Sequence, residues 1–222
     1  MERIICIIIG YIIGLFQTAY LYGRINHIDI RQHGSGNAGT TNIARTLGKK
    51  AGIITYFGDT FKSVVSAVII HLLFGKTNSN MEFLLVIYGG LGVVLGHNFP
   101  FYLKFKGGKG IAATSGVALS LLPYSWIFPV SGFLTFTLGS IFTKYVSMGS
   151  LIFVTSFLIE VIVLGQYGYF GISSNFLYEA YAIVFAITLL AYIRHIANIK
   201  RLLNGTERKI GQKKENIWIE VL

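Results

Sequence analysis

From Ile4 to Gly23 the chain runs for 20 residues without a charged side chain, and from Ile111 to Thr143 it does so for 33. A helix of about 20 apolar residues crosses the roughly 30 Å hydrocarbon core of a bilayer. Similar runs recur at Ala51 to Gly75, interrupted by Asp59 and Lys62, and at Phe83 to Gly96. Two more follow at Ser147 to Gly165, carrying Glu160, and at Leu177 to Ile193, with Glu179 near its start. As one helix the 33-residue run would extend about 50 Å, too far for a single crossing. Pro123 near its middle divides it into two short helices joined by a turn at Leu122 to Ser125. The expected fold is therefore all-α: a polytopic integral membrane protein with about seven transmembrane helices. Residues 1–207 are expected to form a single domain and 208–222 a C-terminal tail. Charged residues are only 13% of the chain and apolar ones 53%, whereas soluble domains carry about 25% charge. That excludes a soluble protein with a polar shell, and the apolar content excludes disorder. The single cysteine, Cys6, lies in an apolar run and excludes a disulfide-built secreted domain.

Lys and Arg outnumber Asp and Glu by 19 to 9, a net charge of +10. Most of these cations lie between the apolar runs, so they report membrane topology, and no nucleic-acid partner is expected. The first connection holds Arg24, Arg31, Arg45, Lys49 and Lys50, and the third holds Lys104, Lys106 and Lys109. Lys144 occupies the fifth, and the segment from Arg194 onward is rich in Lys and Arg. The intervening connections carry Lys76 alone or no cation. By the positive-inside rule the rich set is cytoplasmic, the N-terminus outside and the C-terminus cytoplasmic. An odd number of crossings satisfies that parity, and all the rich connections can then converge on one mouth.

Those same connections hold the unusual residues. Gly34-Ser-Gly-Asn-Ala-Gly-Thr-Thr-Asn-Ile-Ala-Arg45 interleaves glycines with hydroxyls and amides ahead of a helical stretch. Such a segment either cradles phosphate at a helix N-terminus or is a flexible, capped turn. Gly96-His-Asn-Phe-Pro100 is followed by Lys104-Phe-Lys-Gly-Gly-Lys-Gly110, a second glycine-rich helix start with ammonium groups added. Gly107, Gly108, Lys109 and Gly110 read as a phosphate loop, against the alternative of a basic interfacial anchor. The third cluster, Arg194-His-Ile-Ala-Asn198, places His195 and Asn198 on one face of a continuing helix. Glu207 follows as a carboxylate able to neutralise a basic neighbour. Asp59 and Lys62, three apart, can pair near the cytoplasmic end of the second span, either holding helices together or supporting the site. No Cys, His or carboxylate cluster has metal-ligand spacing, and no nucleophile elbow is present. No metal or cofactor is expected. The convergence fits a phosphorylated ligand, or two of them.

Taken together and in this order, the three motifs resemble those of the bacterial acyl-phosphate-dependent glycerol-3-phosphate acyltransferases, the PlsY type. The likeness runs from the first helix to about Glu207. Lys144 stands where relatives often carry arginine. The resemblance implies seven membrane helices in the bacterial inner (cytoplasmic) membrane, with the active site facing the cytoplasm. It implies transfer of a fatty acyl group from acyl phosphate to the 1-hydroxyl of glycerol 3-phosphate, giving 1-acylglycerol 3-phosphate and phosphate. On that basis Ser35, Gly36, Asn37, Gly39, Thr40, Thr41, Asn42 and Arg45 are assigned to acyl phosphate. Lys104, Ser147, His195, Asn198 and His97 are assigned to glycerol 3-phosphate, and Glu207 is given a structural role. His195, Arg45, Lys104 and Ser35 are expected at the reacting centre. Either His195 or a substrate phosphate takes the hydroxyl proton. The competing reading is a transporter for an organic phosphate, which predicts gated access from outside and an inverted repeat.

Overall fold

The structure is a computed structural model and describes residues 1–212. Most of the expected tail, 213–222, lies outside the described residues. Ten α-helices follow in order, and no strand occurs among the described residues. They are α1 (Glu2–Gly14), α2 (Thr18–Ile25), α3 (Thr40–Leu47), α4 (Lys49–Phe74) and α5 (Glu82–Asn98). Then come α6 (Ile111–Ser120), α7 (Ile127–Thr143), α8 (Val146–Gln166), α9 (Ser174–Arg194) and α10 (Ile196–Leu203). Five stretches are long and apolar enough to cross a membrane: Glu2–Ile25, Lys49–Phe74, Ser79–Leu103, Val146–Gln166 and Ser174–Arg194. α6 and α7 are shorter apolar helices, joined by a turn over Leu121–Tyr124. At ten residues α6 extends about 15 Å, half a bilayer core.

The first apolar run is not one continuous helix. It breaks between Gly14 and Thr18, where Gln17 is extended, and the carbonyls freed there must find donors inside the bundle. Lys62 supplies them, its Nζ donating to Phe16 O at 2.9 Å and Gly14 O at 3.3 Å.

α5 is the central post, buried along nearly its whole length. α1 packs against it through glycines. A Cβ on Gly10 would collide with the Gly89 carbonyl, and one on Gly96 with the Tyr11 carbonyl. Small residues let membrane helices approach closely enough for dispersion and backbone contacts to hold them. On the other side, Phe83 stacks on Phe170, and Phe128, Phe153 and Phe157 join Val161, Val184 and Leu85 in the main core. α7 meets α8 where Gly149 faces Ser140. α6 is tied to α4 by Thr60 and Ser63, which donate to the Ala112 and Ala113 carbonyls at 3.2 and 2.8 Å. At the N-terminal end of α1, Arg3 forks onto Glu179 of α9, which also accepts from Tyr88 of α5. One end of the bundle is thereby clamped, and the three motif segments gather at the other.

Candidate active site

The Ser35–Arg45 segment is closed on itself by Asn42. Its Oδ1 accepts from the Ser35 N–H at 2.9 Å, and its Nδ2 donates to the His33 and Ile30 carbonyls at 2.9 and 3.1 Å. Asn42 therefore shapes the loop, and its side chain is already engaged. Asn42 lines the cavity as well. The loop closes onto α3, whose first residues, Thr40 and Thr41, line a cavity of about 860 Å³. Gly39 caps that helix without a side-chain bond, and the Thr40 hydroxyl is buried with no partner. Orphan N–H groups and a free hydroxyl at a helix start attract an anionic oxygen. Ser35, Asn37, Gly39 and Arg45 line the same cavity, whereas exposed Gly36 does not.

The second motif corrects the expectation most. Lys104 ends the short Phe101–Leu103 turn in a left-handed conformation, φ +55°, and is exposed outside the cavity. The lysine inside is Lys109. Gly107 and Gly108 offer no free N–H, because they donate to the Asn98 and His97 carbonyls at 3.2 and 3.1 Å. Their carbonyls are held by Arg194, at 2.9 Å to Gly107 and 3.0 Å to Gly108. The glycines are needed for proximity: a Cβ at either position would collide with His97. Gly110, φ +85°, turns the chain into α6 and does line the cavity.

The third motif is organised by Glu207. Its Oε1 accepts from Asn198 Nδ2 at 2.7 Å and Ser147 Oγ at 3.0 Å, and its Oε2 pairs with Arg201 at 2.6 Å. Burial pushes this carboxyl up, but the donors from Asn198, Arg201 and Ser147 outweigh it and hold the group below its ordinary range. Asn198 Oδ1 in turn accepts from Lys109. Asn198 and Ser147 line the cavity while orienting Glu207 and Lys109, and both positions come from segments far apart in sequence. Burial lowers Lys109 to about 8; Glu207 opposes this shift, while Arg201, Arg194 and Arg45 add to it. Around the mouth, Arg45, Lys109, Arg201 and Arg208 face only Glu207, since Lys62 offsets Asp59. An excess of cations held close together favours a multiply charged anion.

His195 sits where α9 ends and α10 begins. The helix does not continue unbroken, as its place beside Asn198 suggested. His195 Nδ1 is 2.7 Å from the Ala191 carbonyl. A carbonyl only accepts, so Nδ1 carries the proton and Nε2 keeps its lone pair. Burial, followed by Lys109, lowers this imidazole to about 4, so it is neutral at physiological pH. His97 is buried at the end of α5 and lines the cavity too.

Below the mouth the lining turns apolar, with Phe57, Leu119, Phe133, Phe136 and Phe153 from α4, α6, α7 and α8. Sequence reasoning did not assign these residues, nor Arg201 and Arg208, to the site. The only advance signal for Arg201 was its spacing of three from Asn198. The cavity thus joins a cationic, amide-lined mouth to a hydrocarbon-compatible body, the shape required by a ligand with a phosphate head and an acyl tail.

An all-helical membrane protein with such a cavity belongs to the class that handles amphipathic, phosphorylated ligands. The family model described as glycerol-3-phosphate acyltransferase matches residues 4–205, and the chain belongs to that family. It is 41% identical over 217 residues to the glycerol-3-phosphate acyltransferase of Alkaliphilus metalliredigens strain QYMF, covering 96% of this chain and 98% of the relative. Identity to the enzyme of that description from Clostridioides difficile strain 630 is 40%, covering 96% and 97%. Among solved structures it is similar to PlsY, an integral membrane glycerol 3-phosphate acyltransferase. Against the glycerol 3-phosphate form the TM-score is 0.77 at 32% identity, covering 95% of this chain and 96% of that one. Against the lysophosphatidic acid form it is 0.78 at 29% identity, with the same coverage. Family membership settles the enzyme reading over the transporter reading.

Proposed function

We propose that this chain transfers a fatty acyl group from acyl phosphate to the 1-hydroxyl of glycerol 3-phosphate, producing 1-acylglycerol 3-phosphate and inorganic phosphate. The observation that carries this is a cavity that joins a cationic mouth to an apolar body. The α3 N-terminus, with Ser35, Thr40, Thr41 and Arg45, holds the phosphate of the acyl donor, whose tail lies along Phe133, Phe136 and Phe153. Lys109, Arg201 and Arg208 hold the phosphate of the acceptor. Two mutually repelling anions are thereby aligned, which is the main entropic and electrostatic contribution required of the protein.

The 1-hydroxyl oxygen attacks the carbonyl carbon, and the bond from that carbon to the phosphate oxygen breaks. His195 Nε2 accepts the hydroxyl hydrogen bond and orients the nucleophile. A group titrating at about 4 is a weak base near neutral pH, so the proton passes to a phosphate oxygen of the substrates. Residues 1–207 act as one unit in the bacterial cytoplasmic membrane. With α6 and α7 as two of seven crossings, the N-terminus lies outside and the mouth opens to the cytoplasm, a topology supported by the alternation of cation-rich and cation-poor connections.

The test is to incubate the purified protein in lipid nanodiscs with palmitoyl phosphate and labelled glycerol 3-phosphate. Lysophosphatidic acid and equimolar phosphate are expected, with no product from palmitoyl-CoA. Product from the thioester alone, or none from either donor, would overturn the reading. Cysteine labelling at Asn37 and Lys106 should report the same side of the membrane; opposite sides would refute the topology.

A further inference from the structure

Beneath the cavity lies a polar cluster that the proposed reaction does not use. Lys62 of α4 is buried within the bundle, and its ammonium is surrounded by acceptors. They are His97 Nδ1 at 2.7 Å, Phe16 O at 2.9 Å, Asp59 Oδ1 at 3.2 Å and Gly14 O at 3.3 Å. Thr18 Oγ1 donates to the same Asp59 oxygen at 3.0 Å, and Gln17 Nε2 donates to the His97 carbonyl at 3.0 Å. The break between α1 and α2 is thereby stitched to the second motif. A helix break could be satisfied by serines or water; an ion pair placed against a histidine does more.

The decisive point is which nitrogen of His97 carries the proton. An ammonium has three protons and no lone pair. With no lone pair the Lys62 nitrogen can only donate toward Nδ1, its shortest contact at 2.7 Å, and its three protons are shared among four acceptors, of which Gly14 O at 3.3 Å is the farthest. A proton on Nδ1 would point at a cation 2.7 Å away, and Asp59 at 3.8 Å is too far to receive it. Nδ1 is therefore the acceptor and Nε2 bears the hydrogen. The Nε2 edge abuts Gly108, where a Cβ would collide with it and would stand 2.8 Å from the Ala38 carbonyl. His97 itself lines the cavity, and this Nε2 edge lies where the first and second motifs meet.

We infer that Lys62 is a positioning residue that locks His97 in the Nε2–H tautomer, making His97 a hydrogen-bond donor to an anionic substrate oxygen at the floor of the site. His195 is held in the opposite tautomer by Ala191. The cavity then has one histidine that donates and one that accepts, and neither is charged. The inference rests on the proposed acyl transfer for its substrate but not for its tautomer.

The test uses the full chain in nanodiscs, labelled with nitrogen-15 histidine and assigned with His97→Gln. The wild-type spectrum should show His97 unprotonated at Nδ1 and protonated at Nε2. Inorganic phosphate should move the Nε2–H resonance and leave Nδ1 in place. Lys62→Met should split His97 between both tautomers and lower kcat roughly a hundredfold, with KM for glycerol 3-phosphate changed less than about threefold. His97→Gln, whose amide can still donate, should retain more activity than His97→Phe. A wild-type Nδ1–H signal, or an Nε2–H signal indifferent to phosphate, overturns the inference without needing any variant to fold. Correct tautomers with no acyl transfer would instead sink the reaction proposed above.

Discussion

Lys109 offers the sharpest check on the electrostatics of the mouth. Its ammonium is largely buried and titrates at about 8, against about 10.4 for an unperturbed lysine. The charged form binds the anion, so lowering the pKa moves the loss of binding to lower pH. In the free enzyme only about one tenth of the ammonium survives at about pH 9, and kcat/KM should fall about tenfold, or about 1.4 kcal/mol, relative to neutral pH. An unshifted lysine would lose only a few per cent of its charge there. The neighbouring groups do not titrate in this window: His195 is already neutral, Glu207 is held ionised, and guanidinium groups stay cationic at any pH a protein tolerates. The assay is kcat/KM for glycerol 3-phosphate between about pH 6.5 and 9.5, beside Lys109→Met. Removing a charge-assisted bond of about 1.5–3 kcal/mol should reduce the variant's kcat/KM at neutral pH by roughly ten- to hundredfold and abolish its alkaline limb. A wild-type profile flat to about pH 9.5, or the same limb in Lys109→Met, would refute the reasoning.

Glu207→Gln removes the charge that opposes the lowering of Lys109, so the alkaline limb should move below about pH 8, and thermal stability should drop by about 1–3 kcal/mol as three donors lose a carboxylate. Gly132 lies beside the Phe153 ring in the apolar half of the cavity; Gly132→Leu should raise KM for a sixteen-carbon acyl phosphate more than for an eight-carbon one. Gly10→Leu must separate α1 from the Gly89 backbone, and overpacking of that kind should destabilise by about 1–3 kcal/mol, read from unfolding in mild detergent. Arg3→Gln breaks the clamp onto Glu179 far from the mouth, and should lower stability while leaving KM for both substrates unchanged.

How far the site could be read in advance differs from residue to residue. Asp59 and Lys62 pair at 3.2 Å as their spacing of three predicts, because helix geometry alone places such residues together. The helix break at Gln17 was not legible, since Gly14-Leu-Phe-Gln17 contains no proline and its carbonyls draw on side chains distant in sequence, Lys62 on Gly14 O and Phe16 O and Tyr102 on Leu15 O. Lys104 and Lys109 were indistinguishable as cations in one glycine-rich stretch. The left-handed turn at Lys104 sends one to the surface, while the packing of Gly107 and Gly108 on His97 carries the other inward.

Hydrophobic length and the alternation of basic connections are sums over neighbouring residues, so the primary structure alone determined a polytopic helical membrane protein whose three motifs share one end. Which groups remain able to bind a substrate is a different kind of quantity. It depends on what each donor already bonds: Asn42 closes its own loop, the Gly107 and Gly108 amides meet carbonyls of α5, and Lys109, with one proton on Asn198, keeps two for the cavity. Only tertiary structure makes those pairings, because a group can offer a ligand only the donors and lone pairs that the fold leaves unused.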